Sequence, residues 1–145
     1  NTSISIYPLI CYEDIFPDLI RGMKDKSNSL LFVTTNDAWF GEEGCAEQHA
    51  AHSVIRALES GMPILRCGNA GWSGWISANG VPREIILNEQ DSVYFKGASI
   101  LEIEVGKRVQ TFYAENSNYF IVLCCIFVIL TILLAKKINL QDTAK

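Results

Sequence analysis

Cys11 ends the apolar run Ile4-Ser5-Ile6-Tyr7-Pro8-Leu9-Ile10 and is followed at once by Tyr12-Glu13-Asp14. The run reads as a buried strand. Glu13 and Asp14, then Ile15, Phe16, Leu19 and Ile20, read as the opening of a helix with acidic groups in its first turn. A cysteine at such a turn lies where backbone N–H groups and the positive end of a helix favour a thiolate. Sulfur nucleophiles for acyl transfer are presented in this way. A buried structural cysteine, among the commonest core residues, fits the same local pattern.

A second polar and aromatic block, Asn36-Asp37-Ala38-Trp39-Phe40-Gly41, follows the short apolar run Leu30–Thr35. Asn36 and Asp37 are placed to brace that loop by side-chain to backbone bonds. His49 and His52 are three apart on a probable helix but have no matching cysteine or carboxylate cluster, so no metal site is expected. No motif calls for a cofactor. Of five cysteines, Cys124 and Cys125 sit in an apolar segment as small apolar residues. Cys45 and Cys67 are candidates for pairing in an oxidising compartment, although their spacing matches no known framework.

The elements that must position these groups follow from periodicity. A helix is expected from the Cys11 turn to about Lys26, broken by Ser27-Asn28-Ser29. Leu30–Thr35 reads as a buried strand. From Ala46, apolar residues recur at Ala50, Val54 and Leu58, with Ala51 and Ile55 beside them, as one face of a helix closed by Gly61 and Pro63. On that helix Arg56 and Glu59 are spaced to pair at the surface. Ile64–Cys67 reads as a third strand, its end structured by Arg66 and Asn69. Trp72–Ser77 and Arg83–Leu87 form a hairpin about Ala78-Asn79-Gly80, and another strand is expected from Ala98 to Val105. Buried strands alternating with helices, then hairpins, define an α/β domain.

Tyr119–Ala135 is a run of 17 residues without a charge, flanked by Glu115 and by Lys136-Lys137. As a helix it rises about 26 Å, close to the ~30 Å hydrocarbon core of a bilayer. The two lysines orient residues 138–145 towards the cytoplasm as a short tail. Residues 1–112 then form the folded domain, 113–118 a juxtamembrane linker and 119–137 the transmembrane helix. Residues 1–118 carry nine Lys and Arg against fifteen Asp and Glu, a net charge of −6 with no basic stripe, which excludes a nucleic-acid partner. The chain has neither an initiator methionine nor a signal peptide and opens inside a strand, so it reads as the C-terminal part of a longer protein.

Ile10-Cys11-Tyr12-Glu13, Asn36-Asp37-Ala38-Trp39-Phe40-Gly41, Gln48-His49, Arg56-Ala57-Leu58-Glu59, Leu65-Arg66 and Asn69-Ala70-Gly71 occur in one order at close spacing. This series resembles the C-terminal half of the apolipoprotein N-acyltransferases, a membrane-embedded family of the nitrilase (carbon–nitrogen hydrolase) superfamily. The resemblance implies a nitrilase-like αββα sandwich, present here in part, on the periplasmic face of the bacterial inner membrane and anchored by the terminal helix. It implies a monomeric enzyme without a cofactor. Its acyl donor would be a phospholipid and its acceptor the N-terminal diacylglyceryl-cysteine of an apolipoprotein, through a thioester on Cys11. The resemblance also places Tyr12 and Glu13 in the active site, and the Tyr12 N–H, next to the nucleophile, is a natural oxyanion donor. Trp39, Phe40, Asn36, Asp37, Asn69 and Trp72 would line the substrate and lipid pocket. A tryptophan at position 72 departs from the smaller aliphatic residue common in the family. The superfamily's catalytic Glu and Lys lie upstream in the family's order and match no residue here. Two further readings remain at this point, an amidase-type carbon–nitrogen hydrolase and an inactive membrane-anchored fragment.

Overall fold

A computed structural model describes residues 3–23, 28–116 and 118–142. Two compact units divide the chain, Asn1–Ala114 and Glu115–Lys145. In the first, β1 (Ser5–Ile10) runs into a 3-10 turn (Cys11–Ile15) and a short helix α1 (Pro17–Arg21). β2 (Ser29–Asn36), a second 3-10 turn (Ala38–Phe40), helix α2 (Cys45–Ser60) and β3 (Ile64–Asn69) follow, then β4 (Gly74–Ile76) and β5 (Pro82–Ile85). The five strands form one sheet in chain order. β1, β2 and β3 are parallel, whereas β4 and β5 add antiparallel. The α/β class expected from the sequence is borne out, and the described residues contain one such sheet.

β2 is an inner strand between β1 and β3, and its alternation sets the two faces. Leu31 and Val33 pair in register with Ile64 and Arg66 of β3, while Val33 also lies beside Leu9 of β1. Leu9, Leu31, Val33 and Ile64 join Ile76, Met62 and the α2 alanines Ala46, Ala50 and Ala57 in one buried cluster. On the opposite face, Phe32 and Leu65 bound a cavity of about 420 Å³ closed by Val93, Phe95, Leu101 and Ile103. β1 has a single neighbour, so the expectation of a fully buried strand is corrected. Leu9 is buried, but Ile6 and Ile10 are mostly exposed on the face away from α2.

Other expectations also shift. The helix after Cys11 is a 3-10 turn plus α1, because Pro17 lacks the N–H needed to continue a helix from the preceding turn and starts a new one. The expected continuation to Lys26 and the start of the break at Ser27 fall outside the described residues. Ala98–Val105 forms no strand, the nearest bridge among the described residues being a lone one between Asn28 and Lys107. The hairpin forms about the expected turn, closed by Gly80 N–H to Ser77 O, but with shorter strands than read, Gly74–Ile76 and Pro82–Ile85.

Helix α2 ends at Gly61 in the left-handed conformation, with φ of 65°. A strap from Arg108 to Thr111 satisfies its last carbonyls. Arg108 Nε donates to Ser60 O at 2.9 Å, Val109 N to Gly61 O at 3.2 Å, and the Thr111 hydroxyl to Glu59 O. A Cβ on residue 61 would collide with the Val109 carbonyl. Gly61→Ala is therefore expected to destabilise the domain by about 2–4 kcal/mol, left-handed strain and steric overlap combined, measured by denaturant titration in detergent.

In the second unit, α4 (Tyr119–Asp142) contains a 19-residue stretch, Tyr119–Lys137, with mean hydropathy 2.7 and no buried positions. It is long and apolar enough to cross a membrane. The helix continues past Lys137 to Asp142, into the segment assigned to the tail. A short helix, α3 (Phe112–Asn116), occupies most of the expected linker.

Candidate active site

The backbone at Cys11 is strained. Its φ of 54° is left-handed, a conformation that costs a residue bearing a Cβ roughly 1–2 kcal/mol. The neighbouring Glu13 carboxylate accepts a hydrogen bond from Ile10 N–H at 2.7 Å, pinning the last residue of β1 across the turn. The first N–H groups of such a turn have no partner within it. The fold therefore turns the chain sharply at the sulfur, as strained strand-to-helix turns do where a nucleophile is presented.

Beneath the half-buried thiol lies a polar network that crosses four elements. Thr35 Oγ1, on β2, is 3.5 Å from Cys11 Sγ and 2.9 Å from Asp37 Oδ1. Asp37 Oδ1 is also 2.8 Å from His49 Nδ1. The other ring nitrogen, Nε2, is 3.2 Å from Asp14 Oδ1. Asp14 Oδ2 then accepts from Ser53 Oγ at 2.5 Å and from Arg66 Nη1 at 2.7 Å. Arg66 Nη2 faces Asp37 at 3.9 Å. Asp14, Asp37, His49, Ser53 and Arg66 are all at most 1% exposed.

Two carboxylates that embrace both nitrogens of one imidazole determine its charge. A neutral ring has one N–H, and its bare nitrogen would face a carboxylate oxygen. The imidazolium satisfies both, and with Arg66 it balances Asp14 and Asp37 to zero net charge. Burial opposes the charged form of His49, but its bonds to Asp14 and Asp37 outweigh this and hold it above the ordinary 6.5. Burial likewise opposes ionisation of Asp14, and its bonds to His49 and Ser53 with the charge of Arg66 hold it below the ordinary 3.8.

Tyr12 roofs this network. Its ring stacks on His49 at 4.3 Å, meets Phe40 edge-on at 5.9 Å, and its hydroxyl lies 4.0 Å from Cys45 Sγ. Burial and then the Cys45 contact push its phenol above the ordinary range. Trp39 is 82% exposed beside the partly exposed Phe40. Asn69 Nδ2 donates to Asn36 Oδ1 at 2.8 Å, tying the ends of β3 and β2. The structure thus brings together Cys11, Tyr12 and Asp37, with Phe40 at the rim. Trp72 lies instead in the buried core.

Several sequence readings change here. Asp37 braces its loop through Thr35 and His49 side chains rather than through backbone groups, because its carboxylate points inward over Gly71, where a Cβ would clash with it. Arg56 does pair with Glu59, at 2.9 Å, but from a buried position where Nη1 also donates to Ile15 O. Arg66 is a buried ion-pair partner of Asp14, not a strand-end brace. Cys45 and Cys67 are free thiols. Asp14, Thr35, Ser53 and the role of His49 went unread. The polar spacing His49, Ser53, Arg56, Ser60 on one helix face, and an arginine alternating with Ile64 in an apolar strand, were the available signals.

The site thus sets a strained cysteine at the end of a parallel strand, above a buried network of two carboxylates, an imidazole and a guanidinium. Residues 3–118 match the carbon-nitrogen hydrolase family, and the chain belongs to it. Among individual proteins it is similar to the apolipoprotein N-acyltransferase of Rickettsia bellii (strain RML369-C), 36% identical over 143 residues, 97% of this chain and 27% of that protein. The protein of the same name from Rhizobium rhizogenes is 38% identical over 113 residues, 76% of this chain and 21% of its own length. That of Rhizobium etli is 46% identical over 77 residues, 53% of this chain and 14% of its own. The resemblance carried by the motifs is borne out. The chain spans 14–27% of the length of these relatives.

Proposed function

We propose that this segment carries the nucleophile of a membrane-bound N-acyltransferase that acts on lipoproteins. The observation that carries the reading is Cys11, held at φ of 54° at a strand end within a family built on carbonyl chemistry. The thiolate attacks an ester carbonyl of a phospholipid. An S–C bond forms, the C–O bond breaks, and the leaving alkoxide takes up a proton as a lysophospholipid. The N-terminal amine of a diacylglyceryl-cysteine apolipoprotein then attacks the thioester. A C–N bond forms, the C–S bond breaks, the amine loses a proton and the Cys11 thiol returns.

The Tyr12 N–H would stabilise the tetrahedral oxyanion in both steps. Glu13 fixes the turn through Ile10, and in this reading its carboxylate also stands near the incoming amine. Trp39 and Phe40, with Asn36, Asp37 and Asn69 behind them, form the lipid-facing loop, and Trp72 supports it from the core. The enzyme works as a monomer on the periplasmic side of the inner membrane with α4 as an anchor. The superfamily's general base and lysine match no residue of this segment, so the 145 residues alone are expected not to turn over.

Mass spectrometry of the Cys11 peptide tests this, after the parent protein is incubated with phospholipid micelles. A hydroxylamine-labile acyl mass on Cys11 is the expected result. An unmodified Cys11 in a protein that releases ammonia from a small amide would instead make it an amidase-type hydrolase.

A further inference from the structure

We propose that Thr35 is a positioning residue for the Cys11 thiol, its one hydroxyl proton alternating between Asp37 and the sulfur as the thiol ionises. The inference rests on the reading of Cys11 as nucleophile and assigns a task to the network beneath it.

Thr35 Oγ1 has two acceptors within reach, Asp37 Oδ1 at 2.9 Å and Cys11 Sγ at 3.5 Å, and a single proton to give. While sulfur keeps its proton, the shorter, charge-assisted bond to Asp37 takes the hydroxyl hydrogen. The Oγ1 lone pair is then free to accept the S–H. When that proton leaves, sulfur becomes an acceptor, and rotation about the Thr35 C–O bond turns the hydroxyl onto it. No proton leaves Thr35 in either state, so the sulfur keeps one oriented partner throughout.

The exchange deprives Asp37 of a donor at the moment a second negative charge appears nearby. His49 explains why this is tolerated. Its Nδ1 stays 2.8 Å from the same Asp37 oxygen, and Arg66 faces the carboxylate from β3. The ionisable groups around the pair are Tyr12 on the turn of Cys11, Asp37 after β2, His49 and Cys45 on α2, and Arg66 on β3. A threonine that merely filled the strand would need none of this alignment. It is buried, and its hydroxyl oxygen lies within reach of both the Cys11 sulfur and the Asp37 carboxylate.

The test is alkylation of Cys11 by iodoacetamide in the full chain in detergent, read on the Cys11 peptide at neutral and strongly alkaline pH. Thr35→Val keeps the shape and removes the hydroxyl. The neutral-pH rate is expected to fall about three- to tenfold, the worth of one hydrogen bond to the thiolate. The alkaline rate, where every thiol is ionised, should stay the same, and Thr35→Ser should preserve both rates. Equal rates at neutral pH in wild type and Thr35→Val would overturn the proposal, as would an equal loss at both pH values in a folded variant. Should Thr35→Val not fold, the infrared S–H stretch decides, taken as the difference between wild type and Cys11→Ala. A band shifted down from that of a free thiol supports the contact, and an unshifted band overturns it. Alkylation needs no acyl donor. A Thr35 effect without a thioester would sink the acyltransferase reading alone, and a thioester without a Thr35 effect would sink this one.

Discussion

A parent protein carrying Cys11→Ala is expected to transfer no acyl chain to a lipoprotein acceptor, a loss of at least about a thousandfold, since removing a nucleophile removes the covalent route. Cys11→Ser should do nearly as badly, because a hydroxyl at this turn ionises far less readily than a thiol. The informative companion is Cys11→Gly. At φ of 54° the side chain is carried against its own backbone preference, and glycine relieves that strain. The glycine variant is expected to be as inactive as Cys11→Ala yet more stable than wild type by about 1–2 kcal/mol in denaturant titration. Stability lost at the residue that performs the chemistry is the mark of a site held for function. Full transfer by Cys11→Ala would end the assignment. A glycine variant no more stable than wild type would remove the strain from the argument and leave the chemistry standing.

The parts legible in the sequence were those written in apolar periodicity. β2, β3, the hairpin and α4 announce themselves by unbroken or alternating apolar runs, and Gly61 with Pro63 marks the end of α2. Counting apolar residues failed where polar ones face inward. On α2 the count favoured Ala46, Ala50, Val54 and Leu58, but Leu58 is half exposed, and His49, Ser53, Arg56 and Ser60 are buried. The helix is rotated because His49, Ser53 and Arg56 have partners on other elements, at Asp14, Asp37, Arg66 and Ile15 O, that no local window contains. Ala98–Val105 failed for the opposite reason. Its alternation suits a strand, but a strand needs a neighbour with a free edge, and the segment lies across the sheet face beside Phe32 and Leu65. At the site, Cys11 and Asp37 were readable from motif order. Thr35, the link between them, looked like an ordinary β-branched strand residue.

Removing Arg66 should produce the largest loss of stability. Arg66→Met leaves Asp14 and Asp37 buried with His49 as their one remaining cation, and a broken buried ion cluster of this kind costs about 3–5 kcal/mol. Pairing it with Asp14→Leu removes one of the stranded charges, so the double variant should be less destabilised than the two single losses added together. The pH profile of the wild type reads the same balance. His49 is held above 6.5, so its contribution is complete below that value and lost as pH rises through the raised one. Asp14 is held below 3.8, so its contribution is complete above that value and lost as pH falls through the lowered one. Stability is therefore expected to be greatest between these ordinary values and to fall on both sides. Arg66 also repels the imidazolium, so in Arg66→Met the alkaline fall should move to higher pH even as total stability drops. A wild-type profile that rises above pH 6.5 would show that His49 is neutral and that the cluster is not balanced in the way its geometry requires.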